Sequence, residues 1–363
     1  MKIGLLSYHR NYNYGWNLQC YALMYVLKSM GHEVTLINKT KFSELSHFGK
    51  LKSTFAHVLH LKKKSYSEIQ KERGVKIAPF FDKYIFPRTH CIQNQKDYKA
   101  LPHFDALIVG SDQVWRSKLV YPIENYFFDF INYPTKLISY AASFGVDVKE
   151  YTEDEIDHCG KLIERFCAVS VREQSGVRLI KDVYKWKCDP VVMPDPTLLL
   201  TVNDYKKIIG NKTNENKSGN NLFCYILDKT QDKEIAIEKI ATAYSLKPKQ
   251  ICLSESYIYP SVEEWLKAFL DAEFIFTDSF HGCVFSLIFR KPFIAYGNIH
   301  RGLARFISLL NTFEQSERLI QSSADINTLD CLKIRDLDEN KISAIQSHLQ
   351  TKAFEFLSLH LKL

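Results

Sequence analysis

Short apolar runs alternate with amphipathic stretches along most of the chain, and most runs stop at a turn residue. The pattern predicts a first strand over 2–7, an amphipathic helix over 18–30 and a second strand over 33–38, with Gly31 suited to a helix stop. After a long polar and basic stretch, strand-like runs return at 106–109 and 137–142, followed by a helical period at 154–166, a strand at 168–171 and a helix near 175–181. Pro190, Pro194 and Pro196 then break the pattern and predict a domain crossing near 188–200. Beyond it, strands are predicted at 222–227, 250–253, 274–277 and 293–296, with helices at 233–244, 262–270, 283–289 and around 303–310. The tail over 341–361 has helical periodicity and is expected to pack back across the domains.

This order predicts an α/β fold of parallel sheets, with two Rossmann-like domains facing a cleft. The expected division is an N-terminal domain over 1–190 with a basic helical insertion at about 41–99, a C-terminal domain over 191–335, and a helical tail over 336–363. A chain of 363 residues is too long for one ordinary core.

Composition fits a globular protein in a reducing compartment: 46% apolar, 25% charged, nine cysteines and no C-x-x-C pair. No run reaches the roughly 18–20 apolar residues of a membrane span, and the first residues carry no leader pattern, so a cytoplasmic protein is expected. The net charge of +7 is concentrated in residues 41–99, where 13 Lys/Arg face 5 Asp/Glu. There Phe48, Leu51, Phe55, Val58 and Leu59 fall at helical spacing ahead of Lys62-Lys63-Lys64. Two readings stay open: a helix packed on its own domain with solvated lysines, or a surface that rests on the anionic inner face of a membrane or on a lipid-phosphate-carrying substrate. No nucleic-acid partner is expected.

Four polar clusters follow predicted strands, at the sheet edge where ligands bind in such folds. In Asn13-Tyr14-Gly15-Trp16-Asn17-Leu18-Gln19, Gly15 permits a tight turn and Asn17 is a candidate helix cap; the stretch is not a dinucleotide fingerprint. Gly110-Ser111-Asp112-Gln113-Val114-Trp115 combines a carboxylate, an amide and an indole, which suits a sugar; spacing alone favours a capping Asp beside a core Trp. In Ser170-Val171-Arg172-Glu173, the planar fork of Arg172 is either an anion clamp or half of an Arg–Glu pair. Thr277-Asp278-Ser279-Phe280-His281-Gly282 places His281 at a strand-to-helix turn, where backbone N–H groups favour an anion and a histidine can move a proton; a simple helix cap is the alternative. The twelve histidines are dispersed, no metal-ligand spacing occurs, and neither a metal nor a cofactor is expected.

Taken in order, Asn-Tyr-Gly near the N-terminus, Gly110-Ser111-Asp112-Gln113-Val114-Trp115, Val171-Arg172-Glu173, Asp195-Pro196-Thr197 and Asp278-Ser279-Phe280-His281-Gly282 resemble the polysaccharide pyruvyl transferase family over roughly residues 1–310. The resemblance implies a GT-B-like fold and a transferase that moves a pyruvyl group from phosphoenolpyruvate onto two hydroxyls of a sugar. A pyruvate ketal would result, in the biosynthesis of a bacterial capsule or exopolysaccharide. It implies that His281 is the catalytic acid and that Arg172, Ser279, His281, Gly282 and Arg301 hold the donor. Asn17, Asp112, Gln113 and Trp115 fall on the side of the acceptor, a sugar that is lipid-linked, nucleotide-linked or polymeric. Some relatives carry an arginine where this chain has Ser279, and Arg301 or His300 is the expected replacement cation. The competing expectations are a GT-B glycosyltransferase that uses a nucleotide sugar, and a non-catalytic sugar- or anion-binding protein of the same fold.

Overall fold

A computed structural model of the chain describes residues 1–8, 12–40, 66–210, 219–297 and 302–362. The apolar stripe Phe48–Leu59 and Lys62-Lys63-Lys64, together with His300 and Arg301, lie outside these residues.

The N-terminal domain begins with strand β1 (Lys2–Leu6), helix α1 (Tyr14–Ser29) and strand β2 (Glu33–Leu36). The described part of the basic insertion contributes helices α2 (Tyr66–Arg73) and α3 (Ala78–Tyr84). Strands β3 (Ala106–Val109) and β4 (Lys136–Ser139), helix α4 (Glu153–Ile163), strand β5 (Ser170–Val171), the short helix α5 (Gln174–Arg178) and strand β6 (Val191–Val192) complete it. After helix α6 (Val202–Ile209) come strand β7 (Asn221–Ile226), helix α7 (Gln231–Tyr244), strand β8 (Lys247–Cys252) and helix α8 (Val262–Asp271). The second sheet continues with strand β9 (Phe274–Thr277), helix α9 (Phe280–Ile288), strand β10 (Phe293–Tyr296), helix α10 (Leu303–Thr312) and strand β11 (Leu319–Ile320). Helices α11 (Cys331–Arg335) and α12 (Glu339–His360) end the chain.

Every strand pairing among the described residues is parallel, and this explains why the strands read as unbroken apolar runs: Ala106–Val109 and Phe274–Thr277 are buried at every position. The two sheets share one winding. The first runs β2-β1-β3-β4 and the second β8-β7-β9-β10-β11, which in each domain's own count is the doubly wound order 2-1-3-4 in the first and 2-1-3-4-5 in the second. The β5–β6 pair extends the first sheet through Ala142 N–H to Ser170 O at 3.1 Å and Arg172 N–H to Ala142 O at 3.0 Å. That sheet therefore reaches Val192, two residues past the expected domain edge, because β6 follows β5 across the first of the prolines. The fold is α/β with two Rossmann-like domains.

Side-chain caps fix the helix starts. Asn13, Thr152, Thr201, Thr230, Ser261, Ser279 and Asp338 each accept a backbone N–H of their helix's first turn. None of the described helices is long and apolar enough to cross a membrane.

Beside the cleft, aromatic packing joins the two domains. Tyr14 on α1 stacks on Trp265 of α8 with centroids 5.0 Å apart, and its hydroxyl donates to Pro260 O at 2.7 Å. Helix α12 straps both halves. Gln346 donates to the carbonyls of Leu198 and Leu200 at 3.0 Å and accepts from Arg290 at 2.7 Å, while Phe356 packs on Tyr140 beyond the end of β4. Trp265 is wholly buried in this junction. Trp265→Ala is expected to cost about 3–5 kcal/mol in urea unfolding. Tyr257→Ala, at a side chain that is 92% exposed, stays within about 0.5 kcal/mol.

Candidate functional site

In a 2-1-3-4-5 sheet the ligand crevice opens where strand order reverses, beyond the carboxyl ends of the first and third strands. Here both reversals face the same cleft, so the turns after β1, β3, β7 and β9 converge there.

After β1, Asn13 rather than Asn17 caps α1, accepting from Trp16 N–H at 3.2 Å. Asn17 sits one turn into the helix, fully buried, and its amide donates to Asn13 O at 2.8 Å; Asn13 is the residue that lines the cleft. After β3, Asp112 adopts φ 78°, a left-handed backbone that costs a non-glycine residue on the order of 1 kcal/mol. Its carbonyl accepts from Val114 N–H at 2.8 Å and Ser143 N–H at 3.0 Å, and Oδ1 accepts from Gln113 N–H at 2.9 Å. Gln113 lines the same cleft and accepts from Arg116 at 3.0 Å. Trp115 does not reach the cleft. It is fully buried in the N-terminal core, stacks on Phe127 at 5.0 Å and donates to Tyr126 O at 3.1 Å, because the β3 turn directs it beneath the sheet edge.

The centre of the junction is a buried ionic cluster. Arg172, at the end of β5, donates from Nη1 to Asp195 Oδ2 at 2.9 Å, and its Nε lies 3.6 Å from Glu173 Oε2. Arg172 Nη2 has no hydrogen-bond partner among the described residues. Asp195 also accepts from the Thr197 hydroxyl at 2.8 Å, from Thr197 N–H at 3.1 Å and from Ser111 Oγ at 3.3 Å. Its Oδ2 stands 3.6 Å from His281 Nε2, within ion-pair range and beyond hydrogen-bond length. Burial opposes the charge on Asp195, yet His281, Arg172 and the Thr197 hydroxyl outweigh it and hold the carboxyl well below its ordinary range. The same burial opposes the charge of Arg172, and Asp195 and Glu173 overturn it, raising the pKa of the guanidinium.

His281 lies one residue into α9. The capping Ser279 accepts Gly282 N–H at 3.4 Å, so this amide is spent within the turn and does not face a ligand. Asp278 is also committed: it accepts from Leu227 N–H at 2.7 Å and from Lys233 Nζ at 2.6 Å, tying β9 to the turn after β7. The imidazole packs directly on α1. A Cβ on Gly15 would fall 2.0 Å from His281 Nδ1, so only glycine at this position leaves room for the ring. Nε2 has no hydrogen-bond partner among the described residues.

Two cavities flank Phe280. One, of about 310 Å³, is lined by Asn13, Asp112, Gln113, Ser279 and His281. The other, of about 380 Å³, is lined by Arg172, Glu173, Asp195 and, from α12, Lys352. Phe280 and Arg305 line both. The Phe280 ring lies under two cations, with Arg172 Cζ 4.5 Å and Arg305 Cζ 5.7 Å from its centroid. Gly302, at φ 87°, lets α10 begin against Gly145 O, where a Cβ would sit 1.9 Å away, and this brings Arg305 into the cleft. Burial and the neighbouring Arg172 lower the Arg305 guanidinium to about 10, still charged at neutral pH.

Asp195 and Arg305 are absent from the sequence-derived candidates. The first is visible there only as part of an Asp-Pro-Thr turn, and its partners arrive from strands far away in sequence. The second could have been noticed as the one charge in the apolar helix Leu303–Leu310. Among the described residues no group of His, Cys, Asp and Glu is arranged to hold a metal ion.

The family model for polysaccharide pyruvyl transferases matches residues 13–300. No curated protein matches the chain. Among solved structures the fold is similar to an S. aureus MnaA–UDP co-structure (TM-score 0.51, 12% identity, 99% of this chain and 97% of that one). It is also similar to the UDP-GlcNAc 2-epimerase of Methanocaldococcus jannaschii in complex with UDP-GlcNAc and UDP (TM-score 0.50, 13% identity, 97% and 100%). These neighbours are GT-B-like, and so is this fold.

The buried cluster has a stability signature. A carboxyl depressed on folding contributes stability that is complete above its unfolded value near 3.8 and is lost as the pH falls below it. Urea midpoints measured from neutral pH down to about pH 3 are therefore expected to fall less steeply for Asp195→Asn than for the wild type. Arg172→Ala, which strands Asp195, is expected to cost about 3–5 kcal/mol at neutral pH.

Proposed function

Because the chain belongs to the polysaccharide pyruvyl transferase family, and is thus a transferase of polysaccharide biosynthesis, we propose that it converts phosphoenolpyruvate and a sugar diol into a pyruvate ketal. The observation that carries this reading is the meeting of two guanidinium groups and one histidine around Phe280, each buried, with Arg172 and His281 each keeping a nitrogen that has no hydrogen-bond partner among the described residues. Phosphoenolpyruvate bears a phosphate and a carboxylate, and such a site can take both. Arg172 offers Nη2, and Arg305 supplies the cation missing at Ser279, a role expected of Arg301 or His300.

The chemistry needs a proton on the methylene carbon and an acceptor hydroxyl on the adjacent carbon. His281 delivers the proton, the first sugar oxygen bonds to that adjacent carbon, and phosphate departs with the electrons of its C–O bond. A second hydroxyl then closes the ketal. Of the two hydroxyl hydrogens, one is balanced by the new methyl hydrogen and the other by the hydrogen on the released phosphate. The polar cavity with Asn13, Asp112 and Gln113 is the place for the sugar, and a sugar of a bacterial surface polysaccharide, free or on its lipid-linked precursor, is the acceptor class.

The likeness to UDP-bound GT-B structures supports a second reading, transfer from a nucleotide sugar with the same cations on the diphosphate. Incubation with acceptor glycan separates the two. Phosphate release from phosphoenolpyruvate supports pyruvyl transfer, whereas UDP release with phosphoenolpyruvate inert rejects it. His281→Ala is expected to lower kcat about 100- to 10 000-fold. Arg305→Ala is expected to raise the KM for phosphoenolpyruvate about 10- to 100-fold, and an unchanged KM removes Arg305 from the donor site.

A further inference from the structure

Ketal formation needs two proton-handling groups, since protons leave the sugar oxygens while another is delivered to carbon. His281 accounts for the delivery only. The structure assigns the other role, as we infer, to Asp112: its carboxylate is the general base that takes the proton from the attacking sugar hydroxyl. This assignment rests on the pyruvyl-transfer reading.

Three observations carry it. Asp112 lines the cavity of about 310 Å³ that also holds His281, so both groups reach one bound molecule. Only Oδ1 is engaged, by Gln113 N–H; Oδ2 has no partner among the described residues. The backbone at φ 78° would be relaxed as glycine, yet it is held in place by the N–H groups of Val114 and Ser143. The fold thus holds Asp112 in a left-handed turn beside the cavity that it lines.

The charged groups around Asp112 come from several elements. Arg116 on its own turn is neutralised by Glu150 at 3.2 Å. From the other elements, Arg172 and Arg305 both feel the Asp112 charge, while His281, Asp278 and Tyr8 share its cavity. Asp278 is bound to Lys233 and so adds little repulsion. In the step itself the hydroxyl hydrogen passes to Asp112 Oδ2. The oxygen lone pair bonds to the central carbon of phosphoenolpyruvate, and the double-bond electrons take the proton from His281. Asp112 gives that proton to the departing phosphate oxygen, takes the second hydroxyl's proton as the ketal closes and returns it to solvent, from which His281 is recharged.

Asp112→Asn is the suitable variant, because asparagine tolerates positive φ and its amide oxygen still accepts the Gln113 N–H. Phosphate release from phosphoenolpyruvate with acceptor glycan is expected to fall about 100- to 10 000-fold in kcat, with the KM for phosphoenolpyruvate changed less than about threefold. The rise of kcat/KM on the acid side of the pH profile is expected to vanish while the basic side persists. Asp112→Gly, which relaxes the backbone and opens space for a small carboxylate, is expected to regain turnover with added formate. An active wild type whose Asp112→Asn variant keeps its acid-side rise, or stays within about threefold in kcat, overturns the base assignment alone. Failure of formate to restore the glycine variant counts against it as well. A wild type inert toward phosphoenolpyruvate overturns the pyruvyl-transfer reading and the base assignment with it.

Discussion

The ion pair between Arg172 and Asp195 is the constraint on which the rest of the site depends. Both side chains are withdrawn from water, and neither could remain charged there alone. Asp195 is held by Thr197 at the crossing between the domains, and Arg172 is held by the end of β5. Their contact therefore fixes the distance between the first sheet and the start of the second domain. It also sets the electrostatics of the cleft. With one carboxylate satisfied by the guanidinium, the Nη2 edge, without a hydrogen-bond partner among the described residues, lies on the Phe280 ring that Arg305 also faces.

Two sheets of the same winding turn this pair into a site. In each domain the strand order reverses between its first and third strands, and the domains are arranged so that the reversals oppose one another. The first contributes short polar turns on which hydroxyls can be bound, and the second contributes a histidine at a helix start. Helix α12 and the Tyr14–Trp265 stack bury the remaining apolar surface of the junction, so the polar groups at its centre sit in a low-dielectric surround where each contact counts more.

Much of this was legible in the sequence. Parallel strands covered on both faces need continuous apolar segments, and those at 106–109 and 274–277 are found where the pattern puts them. Arg172 and His281 were legible because each follows such a strand at the edge where ligands bind. What failed were readings of direction. Trp115 and Asp112 are three residues apart on one turn, but the turn sends one into the core and the other into the cleft, and spacing does not encode that choice. Asn17 and Asn13 are both plausible caps, and only the helix phase decides between them. Asp195 and Arg305 gain their meaning from partners brought by long-range pairing, which no local window contains.

The contact between Gly15 and His281 bears on how this protein can be recombined. The histidine belongs to one domain, while the surface that shapes its pocket is the backbone of a helix from the other. The two Rossmann-like halves are therefore not interchangeable modules. A chimera that takes one half from a relative with any side chain at position 15 would drive that side chain into the imidazole, even with every residue of the other half retained. The glycine and the histidine form a single steric unit divided between two domains.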